Sequence, residues 1–133
     1  MSEIVIRRMR AEDLDQAVLL DRMSFSLPWP PSAYLNELNN TGGRSWVAEQ
    51  ALEAPLEYRS PFPVPVADFV QPAGARAVVG VIVVWLILDE AHIATLATHP
   101  AFRRRGLSEM LLRTALAEAA HAEATLAHLE VRA

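Results

Sequence analysis

Residues 99–112 read HPAFRRRGLSEMLL. Pro100 ends the element before it, because proline lacks the amide that a helix or sheet interior needs. Arg103, Arg104 and Arg105 follow in an unbroken run, and Gly106 opens a stretch in which Leu107, Leu111 and Ala115 recur at four-residue spacing. That spacing predicts a helix over 106–121, with Leu112, Leu116 and Ala119 beside the same face. The basic turn therefore lies at a helix mouth. The first amides of a helix have no internal partner and the positive end of the dipole lies there, so such a mouth binds anions. Gly106 has no Cβ and lets a ligand approach the backbone. The guanidiniums add charge and a fork that suits phosphate. Spacing alone leaves two readings even: a phosphate-holding turn, or a solvated basic loop between a strand and a helix.

Working outward, residues 92–98 fit a strand. Residues 78–88 form a continuous β-branched run that suits a strand buried on both faces, with 89–90 as the turn between the two. After the helix, 122–125 read as a turn and 126–132 as a strand. In that strand Leu129 and Val131 face one way and His128, Glu130 and Arg132 the other. The last strand–helix–strand unit is expected to be a right-handed crossover joining parallel strands. Toward the N-terminus, 3–9 read as a strand and 13–23 as a helix. Leu14, Ala17 and Val18 share a face of that helix, and Glu12, Asp13 and Asp15 lie near its start, where the dipole favours them. SLPWPP, residues 26–31, breaks it. A short helix over 32–39 turns Tyr34, Leu35 and Leu38 inward, and the Asn- and Gly-rich stretch 39–43 ends it. Residues 45–50 fit a strand.

Residues 51–76 differ in kind. They carry Pro55, Pro61, Pro63, Pro65 and Pro72 and show no period. They read as a long surface loop or partly disordered insertion, with a tolerated excursion favoured over a substrate lid. The element order is β-α-α-β-insertion-β-β-α-β, without internal repeats. It predicts a mixed α/β (α+β) fold with a central sheet flanked by helices, in one domain over 1–133.

Bulk properties narrow the partners. At 133 residues with 52% hydrophobic content the chain is long enough for one real core. A net charge of −4 argues against general nucleic-acid binding. Without cysteine there is no disulfide, thiolate ligand or cysteine nucleophile. The first residues lack the pattern of a signal peptide, and the longest apolar run is far short of the roughly 20 residues that span a bilayer. A soluble, cytoplasmic protein without a membrane partner is expected. The histidines show no paired metal spacing, so no metal is predicted. His99 reads as a turn residue, His92 and His128 as strand residues, and His121 as a favourable cation near a helix C-terminus.

The stretch HIATLATHPAFRRRGLSEMLLRTAL, residues 92–116, resembles the GCN5-related N-acetyltransferase superfamily. In that family a strand ends in a His/Asp-Pro turn and is followed by Q/R-x-x-G-x-G/A at a helix start. Here the motif is Arg103, Arg104, Arg105, Gly106, Leu107 and Ser108, with serine where the family prefers glycine or alanine. FSLPW at 25–29, DEAHIATLATHP at 89–100 and HLEVRA at 128–133 are similar to the ribosomal-protein alanine N-acetyltransferase branch. The resemblance covers most of the chain outside 51–76.

The resemblance implies direct transfer of acetyl from acetyl-CoA to an amine, without an acyl-enzyme. It implies that the pyrophosphate sits on the amides of 103–108. The pantetheine arm would pair with the backbone of Leu96, Ala97 and Thr98 like an added strand, and a backbone N–H of that strand would polarise the thioester carbonyl. Glu130 would be the base, acting through water. Trp29 and Tyr34 would shape a groove for a peptide N-terminus, although core packing is the favoured reading of Tyr34. A protein or peptide N-terminal amine is the favoured acceptor; a small-molecule amine or a lysine side chain stays open. So do a non-catalytic acyl-CoA-binding domain and a phosphate-binding or interaction module. The family pattern runs on past residue 133, to an asparagine that contacts CoA, a helix with a tyrosine acid, and closing strands. The resemblance thus implies a C-terminally truncated fold whose last strand lacks cover. A homodimer or a completing partner chain would supply that cover.

Overall fold

The computed structural model describes residues 4–25, 27–60, 67–121, 124 and 126–129. Its elements run β1 (Ile4–Arg8), α1 (Leu14–Ser24), α2 (Pro31–Leu38), β2 (Gly43–Ala51), β3 (Leu56–Tyr58), β4 (Phe69–Gln71), β5 (Arg76–Ile87), β6 (Glu90–Thr98), α3 (Leu107–His121) and β7 (Leu126–Leu129). Five strands make one sheet in the order β1-β2-β5-β6-β7. The first three pairings are antiparallel, and β6 pairs with β7 in parallel, as a strand–helix–strand unit requires.

The centre of the sheet is β5. Residues 77–84 are all buried. Successive side chains point to opposite faces, so continuous burial means that both faces are covered. Helix α1 packs on β5 and β6, and α3 packs on β5, β2 and β6. On α3 the buried positions are Leu107, Leu111, Ala115 and Ala119. Leu116, expected beside that face, is 38% exposed. It lies five residues from Leu111, which rotates it about 140° around the helix, away from the sheet. The far end of β5 also departs from the expected buried run. Ile87 is exposed, and Leu88 leaves the strand for the turn at φ 56. Glu90, expected in that turn, instead begins β6.

The start of α1 is tied to β1. The Arg7 guanidinium makes a two-pronged bond to Asp13, both N···O distances 2.8 Å, and its Nε donates to Glu49 at 2.6 Å. Arg76 holds the other oxygen of Glu49. Burial, the largest single effect, would raise the Asp13 pKa, but the Arg7 fork and the Arg10 backbone N–H together outweigh it and hold the carboxyl below its ordinary range. In α2 the Pro at the first position suits a helix start. Tyr34 is buried, but Leu35, expected inward, is 50% exposed, because the helix rests on one narrow face only.

The largest departure concerns 51–76, read from sequence as a surface loop. It holds a hairpin, β3 paired antiparallel with β4 as a separate two-stranded sheet. Leu56 and Tyr58 are buried. The Tyr58 hydroxyl donates to the Val78 carbonyl of β5, and its ring stacks on Phe69 at 4.7 Å. The base of the excursion is closed by Leu52 N to Ala75 O at 2.9 Å and Gly74 N to Leu52 O at 2.8 Å. Of the expected turn at 122–125 only Ala124 is described, its N–H donating to Ala119 O at 2.9 Å, and the strand end at 130–132 lies outside the described residues.

Gly80 sits where α3 crosses β5. A Cβ there would come within 2.9 Å of Leu111 Cδ1 and 3.4 Å of Ala48 Cβ. Leu111 is fully buried, so the contact falls inside the core. Gly80→Ala is expected to destabilise the fold by about 1–3 kcal/mol, the cost of overpacking a filled core, read as a lowered urea midpoint at unchanged slope.

Candidate functional site

Strand β6 ends at Thr98, and His99 caps a single 3-10 turn at Pro100–Phe102. Arg103 is then extended, Arg104 takes φ 66 and Gly106 takes φ 78. Glycine adopts that region freely; an arginine there costs about 1–2 kcal/mol, so the turn is a strained concavity that the surroundings enforce. The first bond of α3 runs from Met110 N to Gly106 O at 3.0 Å. The amides of Leu107, Ser108 and Glu109 thus have no acceptor within the helix. They open on a cleft of about 480 Å³ bounded by Thr98, Phe102, Arg103, Arg104 and the run from Gly106 to Glu109, whose carboxylate is paired with Arg113. A Cβ built on Gly106 meets nothing within 4 Å, so the space before the turn is clear. Amides, two guanidiniums and a helix start around one cleft suit a diphosphate.

The three arginines do not act as one group. Arg105 lays its guanidinium over the Phe102 ring, 4.9 Å from the centroid. It lines a separate cleft of about 460 Å³ behind the turn, with Leu52, Pro55, Leu56 and Phe102. Only Arg103 and Arg104 border the cleft at the helix mouth.

The strand leading into the turn has an edge. Strand β7 pairs with β6 from Glu90 opposite Leu126 to Ile93 opposite Leu129, among the described residues. Beyond Ile93, β6 continues to Thr98. Ala94 is an extra residue there, because Val84 faces Ile93 and Val83 faces Thr95. His99 N donates to Val79 O at 2.8 Å. The alternation of an antiparallel ladder then turns the backbone of Ala97 toward Val81, and that of Leu96 and Thr98 toward the opposite edge. Of the three strand residues expected to line the cofactor, two present main-chain groups on that edge.

On the other side of the molecule, Trp29 and Tyr34 come together at 5.3 Å between ring centroids. Trp29 also stacks on Trp85 at 5.9 Å, almost coplanar. Tyr34 is fully buried, which fits the packing role favoured for it. Its hydroxyl donates to Asp21, and the other Asp21 oxygen accepts from Trp29 N at 3.1 Å. Sequence reading passed over Asp21, Trp85 and Glu37, which accepts from Trp85 Nε1 at 2.9 Å. Asp21 had a signal: it lies seven residues after Leu14, on the apolar face of α1, where a carboxylate needs a built-in partner. Tyr34→Phe is expected to cost about 1–3 kcal/mol by taking a donor from that buried carboxylate, measured by urea denaturation.

His99 is the other residue whose role was not legible. Its side chain is buried, Nδ1 accepts from Ala101 N at 3.1 Å, and Nε2 lies 2.7 Å from the Glu57 carbonyl. An acceptor at Nδ1 and a carbonyl at Nε2 require the neutral ring with its proton on Nε2. Burial lowers the His99 pKa below 6.5; the Glu57 carbonyl opposes this and Arg103 adds to it. The unfolded chain therefore takes up the proton first as pH falls. Stability is intact above about 6.5 and declines as pH drops below it. The urea midpoint is expected to fall more between pH 7.5 and 5.5 in the unaltered chain than in His99→Gln; equal slopes would remove His99 from the effect.

Glu130, expected as the base, lies outside the described residues, directly after Leu129 in sequence. Among the described residues no three histidine or acidic side chains gather in a way that could hold a metal ion, and no helix is long and apolar enough to cross a membrane.

Comparison with known proteins agrees with this geometry. The model of the acetyltransferase (GNAT) family matches residues 14–133, and the chain belongs to that family. It is an enzyme of the N-acetyltransferase type, with that family's mixed sheet-and-helix fold. The chain is 27% identical over 131 residues to a Bacillus subtilis (strain 168) protein named as a candidate ribosomal protein bS18-alanine N-acetyltransferase, covering 98% of this chain and 72% of that one. The crystal structure of the ribosomal-protein-S18-alanine N-acetyltransferase of Escherichia coli superposes with a TM-score of 0.69 at 18% identity, over 98% of this chain and 68% of that one. Arabidopsis thaliana NAA60, solved with a bisubstrate analogue, gives a TM-score of 0.68 at 16% identity, over 97% of this chain and 75% of that one.

Proposed function

We propose that this chain transfers the acetyl group of acetyl-CoA directly to the N-terminal amine of a protein or peptide. The observation that carries the reading is the strained turn at the mouth of α3, with its open amides beside the end of β6, where, among the described residues, β7 pairs no further than Ile93. The CoA pyrophosphate would lie on the amides of Leu107 and Ser108, with Arg103 and Arg104 supplying charge and Gly106 allowing close approach. The backbone of Leu96 and Thr98 would bind the pantetheine arm as a strand adds to a sheet. When bound, acetyl-CoA supplies an activated acyl group and a thiolate leaving group. The extra residue at Ala94 gives β6 an amide outside the regular β5 pairing, suited to a developing oxyanion.

An N-terminal ammonium has a pKa near 8 and is mostly protonated at neutral pH. Glu130 is the group proposed to take that proton, through a water, before the amine attacks. Trp29, stacked on Trp85 and anchored by Asp21, gives the acceptor side a rigid wall. The peptide amine is favoured over other acceptors by the likeness to the Bacillus subtilis relative over nearly the whole chain.

Two measurements test the reading. Calorimetric titration with acetyl-CoA should show saturable binding that weakens at least about tenfold in an Arg103→Ala, Arg104→Ala double variant, since each charged contact contributes about 1.5–3 kcal/mol. Binding unaffected by that change would remove the turn from cofactor recognition. Glu130→Gln should lower turnover on a peptide amine by about 100-fold or more while leaving acetyl-CoA affinity within twofold. Undiminished turnover would assign the base elsewhere.

A further inference from the structure

The β3–β4 hairpin and the turn at the mouth of α3 are joined by a continuous row of rings. Phe69 of β4 stacks on Tyr58 of β3 at 4.7 Å. Tyr58 meets His99 edge-on at 5.1 Å and 82°. His99 meets Phe102 edge-on at 6.2 Å and 88°, and Phe102 carries the Arg105 guanidinium at 4.9 Å. Within that row His99 makes bonds in two directions. Nδ1 fixes the 3-10 turn through Ala101 N, and Nε2 donates to the Glu57 carbonyl in the hairpin. Behind the turn lies the cleft lined by Leu52, Pro55, Leu56, Phe102 and Arg105, so solid packing does not back it there.

We propose that His99 is a positioning residue that couples the docked hairpin to the phosphate turn, so that affinity for acetyl-CoA depends on a segment that does not border the cofactor cleft. The inference rests on the reading of the turn given above. Its physical basis is the strain at Arg104. A turn that is unfavourable in isolation keeps its shape only while neighbours enforce it. The hairpin is such a neighbour, and its docking is buried, with Tyr58 fully enclosed. Coupling of this kind is reciprocal: if the docked hairpin favours the binding shape, bound acetyl-CoA favours the docked hairpin by the same factor.

The two ring nitrogens can be separated by substitution. Asparagine places a polar atom near the Nδ1 position and can still accept from Ala101 N, as a good cap does, but it is too short to reach Glu57. Glutamine places an N–H near the Nε2 position and restores that bond. Acetyl-CoA affinity measured by calorimetry should fall roughly two- to tenfold in His99→Asn, the range set by one net hydrogen bond, and return to within about twofold in His99→Gln. Equal affinity in His99→Asn and the unaltered chain would overturn the coupling alone. Absence of saturable binding by the unaltered chain would overturn the functional reading, and this inference with it. Should His99→Asn fail to fold, hydrogen exchange in the unaltered chain decides. Saturating acetyl-CoA should slow exchange in residues 56–58 and 69–71 more than in β1, which like the hairpin does not line the cleft. A slowing no greater than in β1 would overturn the proposal.

Discussion

One close contact sets the geometry of the site. Leu111 of α3 lies directly over Gly80 of β5, close enough that a Cβ at position 80 would fall 2.9 Å from Leu111 Cδ1. Gly80 is also the partner of Thr98, the last residue of β6. The helix therefore meets the sheet at the level where β6 ends, four residues along from its own first residue. With that crossing fixed, the chain between Thr98 and Leu107 has a short gap to close. It closes it with a capped 3-10 turn and two left-handed residues. The open amides of α3 and the edge of β6 then share one cleft because packing elsewhere has already placed them side by side.

The same packing explains why the two faces of the sheet carry different features. The register puts Gly80, Thr98, Ile82 and Leu96 on the face toward α3. Trp85, one residue out of phase, faces the other way and receives Trp29 from the segment between α1 and α2. Asp21 stabilises that segment by accepting from both Trp29 and Tyr34. The strained turn at the mouth of α3 and the stacked tryptophans therefore lie on opposite faces of one sheet.

Much of this was legible in the sequence. The unbroken apolar run of β5 announced a doubly covered strand, and the four-residue spacing after Gly106 announced α3 and its inward face. The basic turn was legible because arginines, glycine and a helix start are local signals. What was not legible depended on distant partners. Arg105 looks like its neighbours in the sequence, yet its guanidinium lies over the Phe102 ring. Residues 51–76 have no period because a two-stranded hairpin of three-residue strands offers too few positions to show one. Its burial comes from Val78 and His99, both far along the chain. Within β6 the extra residue at Ala94 interrupts the two-residue period. Ile93 and Leu96 reach the same face although one is odd and the other even. No strict alternation rule could have sorted them.

The bond between His99 and the hairpin is made to a main-chain carbonyl, not to a side chain. Every amino acid at position 57 would offer the same oxygen. Glu57 itself turns its carboxylate away, to Arg59 in solvent. The contact therefore asks for a histidine at one end and for nothing but correct backbone shape at the other. Substitutions at 57 can accumulate without breaking it, and the two positions have no reason to change in step. A link of this kind leaves no paired trace in sequence variation, even where it governs how two parts of a protein communicate.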